Sequence, residues 1–141
     1  MTIVIDATDA IAGRLAAFVA KTLLAGEQVV VVNAEKAVIS GPAKRTVNVY
    51  YKRRQMTQKA NPENAAKWPR RPDMFLKRIV QGMLPKNKSR GDKALKNLRT
   101  FIGVPAEYSG KAEKFKADAS RLKCKHASVQ EICEALGWKT A

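Results

Sequence analysis

Asp6, Asp9 and Glu35 are the residues of this chain best placed for acid/base work or for holding a divalent cation, since they follow short β-branched runs. Ligands of open parallel sheets gather at the carboxyl ends of the strands. No His, Ser or Lys around the three completes a reaction site, so the simpler expectation is that Asp9 caps a helix and that Asp6 and Glu35 serve turns. Cys124, His126 and Cys133 offer three soft metal ligands, one short of a structural zinc set. His126 is the only histidine, and Cys133 falls on the apolar face of a helical pattern, where a thiol behaves as a small hydrophobe. Phosphate loops fare no better. Asp6 to Gly13 holds one glycine, too late in the loop for a dinucleotide fingerprint. Gly41-Pro42-Ala43-Lys44-Arg45-Thr46 lacks a second glycine, and Pro42 removes a backbone donor. These residues point to no cofactor, no metal, no small-molecule substrate and no catalysis. The competing expectation is a small nucleotide-dependent or RNA-modifying enzyme working at the carboxyl edge of the sheet.

The other residues with chemistry are cations. Residues 41–100 carry 17 Lys and Arg against Glu63, Asp73 and Asp92, so nearly all of the net charge of +15 sits in one central stretch. Concentrated like charge weakens a compact state and attracts polyanions, and the natural partner is a phosphate backbone. Lys44, Arg45, Lys52, Arg53 and Arg54 occupy one predicted helix, with Lys59, Lys67, Arg70 and Arg71 in the segment after it. Lys86, Lys88, Arg90 and Lys93 form a further basic run. Tyr50 and Tyr51 are expected to pack in the core, while Trp68, among prolines and arginines, is the better candidate for stacking on unpaired bases. Arginines suit bidentate phosphate contact, and lysines act as point charges.

Elements must hold these groups in place. Ile3-Val4-Ile5 reads as a strand, and Ala10 to Leu24 as a helix capped by Asp9, with Ile11, Leu15, Phe18, Val19 and Thr22 on one face and Gly26 as its stop. Val29 to Val32, apolar without alternation, suits a strand of a parallel sheet covered on both faces. Strand, helix, strand makes a right-handed βαβ unit. Ala37-Val38-Ile39 predicts a short third strand. Ser40-Gly41-Pro42 opens a helix with Pro near its first position, packing Ala43, Val47, Tyr50 and Tyr51 inward. The stretch 55–72, with three prolines, is an irregular basic loop. Asp73 is expected to cap a helix packed through Phe75, Leu76, Ile79, Val80 and Met83 and ended by Gly82-Met83-Leu84-Pro85. Thr100-Phe101-Ile102 reads as a strand and the region after Pro105 as a polar connection. Ser128 and Glu131 form a capping-box pattern opening a last helix. The expected fold is a single α/β domain over residues 1–141: a small, mostly parallel sheet flanked by helices in a Rossmann-like three-layer core, with a C-terminal helical extension at 106–141.

The chain is long enough for one core, and its 45% apolar residues separate it from disordered basic tails. No apolar run approaches a membrane span, and the apolar faces are used by the core, so no membrane partner is expected. The N-terminus has no basic n-region or cleavage site, and two cysteines make no disulfide framework, which suits a reducing, cytosolic setting.

Three segments resemble one known family. Val31-Val32-Asn33-Ala34-Glu35-Lys36-Ala37-Val38-Ile39-Ser40-Gly41, followed by Lys44-Arg45-Thr46 and Tyr50-Tyr51, resembles the universal large-subunit ribosomal protein L-thirteen family. So do Arg71-Pro72-Asp73 running into Gly82-Met83-Leu84-Pro85-Lys86, and Ile5-Asp6-Ala7-Thr8 with Gly13-Arg14-Leu15-Ala16. The short Gly26-Glu27-Gln28 connection and the tail after Pro105 look more like archaeal members. The resemblance implies a small parallel sheet flanked by helices. It also implies binding to large-subunit ribosomal RNA beside neighbouring ribosomal proteins in the cytoplasm, a part in subunit assembly, and no catalysis.

Overall fold

Four consecutive valines buried on both faces set the architecture. In the computed structural model, which describes residues 2–139, β2 (Gln28–Val32) lies inside a four-stranded sheet with Val29 to Val32 all buried. Its neighbours are β1 (Thr2–Asp6) and β4 (Leu98–Thr100), and β5 (Glu113–Lys114) adds to the outer side of β1; every pairing is parallel. α1 (Ala12–Leu24) crosses between β1 and β2, completing the βαβ unit. It stops as predicted: Gly26 has φ +96°, its N–H reaches the Leu23 carbonyl, and that of Glu27 reaches Thr22. This is the paired closure that a left-handed residue after the helix permits.

Helices cover one face of the sheet. α1 packs with α3 (Pro72–Met83) and α4 (Ser89–Lys96), enclosing Ile5, Val29 and Val31 with Leu15, Val19, Leu23, Phe75, Leu76 and Val80. The third layer is thin. Val4, Val30 and Val32 point to the far face and are covered by Phe101, Tyr108 and Ala112, from a segment whose one regular turn is the 3-10 helix Ala106–Tyr108. α2 (Ala43–Gln55) and α5 (Val129–Ala135) complete the helical side, and a two-stranded antiparallel sheet of β3 (Val38–Ser40) and β6 (His126–Ser128) joins them.

Local signals and long-range pairing disagree in several places. Asp9 does not cap α1: it has φ +57°, the helix begins at Ala12, and Ile11 is the capping residue without a side-chain bond. Ala10 and Ile11 instead form isolated bridges with Asp118 and Val38, which hold the chain extended. Phe18 is exposed and leans on Phe115, ring centroids 5.6 Å apart, outside the face of Ala12, Leu15, Ala16 and Val19. Pro42 is the capping residue of α2 rather than its first turn, and Tyr51 is exposed while Ala43, Val47 and Tyr50 pack. Arg71, not Asp73, caps α3; Asp73 lies buried in its first turn, and Met83 is exposed at its end. The fourth strand begins at Leu98, two residues before the predicted start, because Val29 to Val31 pair with Leu98 to Thr100. The predicted third strand pairs with β6 and not with the main sheet. The region after Pro105 holds both β5 and β6. Ser128 behaves as read: its Oγ accepts from the Glu131 N–H at 3.1 Å, opening α5.

Candidate nucleic-acid interface

α2 buries no residue completely. Ala43, Val47 and Tyr50 lie on the core, and the opposite side presents Lys44, Arg45, Asn48 and Lys52 to solvent. Lys52, Arg53 and Arg54 form its last turn, where cations favour the negative end of the helix dipole. Charge that burdens the whole chain thus stabilises this helix locally.

Arg53 and Arg54 also tie down the segment that follows. The Arg54 guanidinium donates to the Trp68 carbonyl. Tyr50, Trp68 and Phe75 form an aromatic cluster: Tyr50 meets Phe75 edge-on at 4.7 Å and 68°, and Trp68 lies 5.0 Å from Tyr50 and 5.9 Å from Phe75. Arg53 sits 5.2 Å from the Tyr50 ring centre and 5.3 Å from that of Trp68, and Arg78 lies 5.8 Å from the latter. Burial pushes the Tyr50 hydroxyl above its ordinary pKa against the pull of Arg53. Trp68 is half-buried, so its indole both closes the core edge and reaches the surface beside two guanidiniums.

The remaining predicted residues divide by what they touch. Lys44, Arg45, Lys52, Lys59, Lys67, Lys86, Lys88 and Lys93 are exposed and make no ion pair or side-chain hydrogen bond among the described residues. Arg71 pairs with Asp73 at 2.9 Å, the one ion pair found among those residues. Arg90 donates to the Leu24 carbonyl at 3.2 Å, meeting the C-terminal end of α1. Arg70 lies against Gly137, close to where a Cβ there would stand. Arg53, Trp68 and Lys86 come together on one cleft of about 810 Å³, while Lys44 and Arg45 lie toward the other end of α2. At the rise of a helix, Arg45 and Arg53 are separated by about 12 Å along the axis.

Sequence reasoning missed part of the cleft and all of a second groove. Arg78, Asn64, Gln81 and Asn87 line the cleft but follow no motif. Over the far face of the sheet, a groove of about 470 Å³ is rimmed by Lys96, Arg99 and Lys111. Alternation was the available signal there: Leu98 is buried and Arg99, paired with Val30, turns to the opposite face. Within the tail, Lys111, Lys114, Lys116, Arg121, Lys123 and Lys125 outnumber Glu107, Glu113 and Asp118 before Glu131 and Glu134 follow, so a whole-segment charge hides a modestly basic half.

The carboxyl edge of the sheet is differently organised. Asp6 Oδ1 accepts from the Thr8 N–H at 2.9 Å, the Thr8 hydroxyl at 2.7 Å and Asn33 Nδ2 at 2.9 Å. Burial raises the Asp6 pKa, but the bonds from Asn33 and Thr8 outweigh it and hold the carboxyl below its ordinary value. Asn33, at φ +54°, turns the chain after β2. Glu35 is buried and accepts from the Gly103 N–H at 3.2 Å. Both carboxylates serve as turn locks. Of the thiols, Cys124 is exposed and Cys133 buried, its pKa pushed up to about 12 by burial and by Asp73 and Glu134.

A small parallel α/β fold whose edge carboxylates are bonded to its own backbone and side chains, and whose exposed lysines on α2 and the 86–93 run have no ion pair among the described residues, has the basic surface of a class suited to polyanions. The chain belongs to the ribosomal protein L13 family, whose sequence model matches residues 1–107. It is similar over nearly its whole length to proteins named large ribosomal subunit protein uL13 in archaea. That of Sulfurisphaera tokodaii is 49% identical over 138 residues, covering 96% of this chain and 94% of its own. That of Aeropyrum pernix is 45% identical over 143 residues, covering 97% and 90%. That of Methanopyrus kandleri is 41% identical over 141 residues, covering 96% and 87%. These alignments extend past the part matched by the family model, so the tail carrying β5, β6 and α5 is shared with archaeal relatives.

Proposed function

We propose that this protein is a structural constituent of the large ribosomal subunit, working in the cytoplasm, where it binds ribosomal RNA through the basic surface of α2, the 55–72 segment and the 86–93 run. One observation carries the reading: eight exposed lysines and arginines on that surface have no internal partner among the described residues. Cations held at a surface without counter-charges bind phosphate and release its condensed counterions, which supplies affinity that falls steeply with salt. The contacts are Lys44, Arg45, Lys52, Lys59, Lys67, Lys86, Lys88 and Lys93, joined by Arg53, Arg54, Arg70, Arg71 and Arg90, with Trp68 as the stacking ring. Residues 1–141 act as one α/β domain, and the 106–141 extension meets neighbouring ribosomal proteins or RNA. Binding by shape suits such a surface, since double-stranded RNA hides its base edges in a deep major groove.

Sedimentation of a native lysate through sucrose gradients at low and raised salt tests this. The protein should travel with the large subunit at both. Recovery only at the top of the gradient would overturn the reading.

A further inference from the structure

The cleft beside Trp68 differs in chemistry from the open basic surface around it. Arg53, Arg78 and Lys86 reach it and Asp92 is its single acid. Its sides include the apolar Ile79 and Leu95 and the half-buried ring of Trp68. Asn64, Gln81 and Asn87 place amides around it, one of them engaged: Arg78 Nη1 donates to Gln81 Oε1 at 2.9 Å. One wall is closely packed. Gly91 is buried, and a Cβ there would collide with the Pro85 carbonyl oxygen, so α4 is seated on the 84–87 turn backbone to backbone.

We infer that this cleft takes a single unstacked nucleotide of the bound RNA, its base against Trp68 and the apolar side and its phosphate on Arg78 and Lys86. The inference rests on the RNA-binding reading given above. A volume of about 810 Å³ falls in the range of small-molecule sites and exceeds what a phosphate needs. Stacked, helical RNA offers only phosphate and sugar to such a surface and would leave Ile79 and Leu95 unused. An apolar peptide would strip water from three cations with one acid to answer them, which is costly. An extruded nucleotide supplies both needs, a flat π face and an anion, with polar base edges for the amides.

The test uses the full-length protein and transcribed large-subunit ribosomal RNA, read by filter binding and by chemical probing of unpaired bases. Wild type should protect a set of backbone positions and at least one unpaired base. Arg78→Ala with Lys86→Ala should weaken binding roughly 10- to 100-fold and expose that base again while other protections persist. Trp68→Phe, which keeps an aromatic ring, should retain most of the base protection. An unchanged footprint for Arg78→Ala/Lys86→Ala would overturn the nucleotide site and leave the wider RNA surface standing. Unchanged RNA binding by Arg78→Ala/Lys86→Ala, with a neighbouring protein lost from large subunits isolated from cells carrying that variant, would overturn it in favour of a protein occupant. No wild-type footprint at all would bring down the RNA reading itself.

Discussion

Two regions of this molecule hold their charged side chains in opposite states. At the carboxyl edge of the sheet, Asp6 accepts three hydrogen bonds and Glu35 holds the Gly103 N–H, so each charge is answered within the chain. On α2 and the 86–93 run, Lys44, Arg45, Lys52, Lys86, Lys88 and Lys93 are answered by nothing among the described residues. The edge is where enzymes of this architecture place their ligands, and here it is spent on turns. Function is legible in which charges a fold leaves over. A carboxylate that closes a loop stabilises the protein, whereas an unpaired lysine costs a little stability and is retained for a partner.

Charge reversal separates the two regions most sharply. Lys44→Glu, Arg45→Glu and Lys52→Glu together should lower affinity for large-subunit ribosomal RNA by roughly 100-fold or more and make its salt dependence shallower, since each lost phosphate contact removes close to one unit of log–log slope. Melting temperature should hold or rise, because glutamates at 44 and 45 favour the positive end of α2, which offsets what Lys52→Glu loses at its negative end, and the like-charge repulsion of the stretch falls. A fall in melting temperature matching the affinity loss would erase the distinction. Asp6→Ala should do the reverse. Leaving Asn33 and Thr8 without their acceptor should cost about 2 kcal/mol in urea unfolding, with RNA affinity unchanged at temperatures where the variant is folded.

The smallest effect is in pH. Asp6 is held below its ordinary pKa of 3.8 in the folded state, so its contribution to stability is complete above that value. It disappears as pH falls on through the folded-state pKa. Wild type should therefore lose stability across that acid window more steeply than Asp6→Asn, which lacks the contribution at every pH. Parallel curves would mean that the Thr8 and Asn33 bonds do not discriminate between carboxylate and carboxylic acid.

How much of this was readable depended on whether a residue's fate is decided nearby or far away. Val29 to Val32, Gly26 and the Ser128 cap were readable, because an apolar run, a left-handed stop and a three-residue hydrogen bond are local. Asp9 was misleading: it has the residue type of a cap, but bridges from Ala10 to Asp118 and from Ile11 to Val38 keep the chain extended past it. Glu113 and Lys114 have no strand preference, and they become β5 only because Ile5 and Asp6 offer a free edge. The same holds for the interface. Lysines announced themselves by density, but the cleft did not: Arg78 sits in a helix read for its inward face, and its meeting with Trp68 depends on α3 setting its own Phe75 against Tyr50 of α2.

The pairing of β1 with β5 also dictates an order of events during synthesis. β1 and β2 are complete once residue 32 has been made, yet the Ile5–Asp6 end of the outer edge of β1 has no partner until residue 114. At typical elongation rates of roughly 5–20 residues per second, those 82 intervening residues take about 4–16 s. Throughout that interval an apolar strand edge is open to any neighbouring chain, and the whole basic stretch emerges while it is open. The nascent protein is therefore most adhesive, to strands and to polyanions alike, before its last quarter arrives to cover the end of that edge.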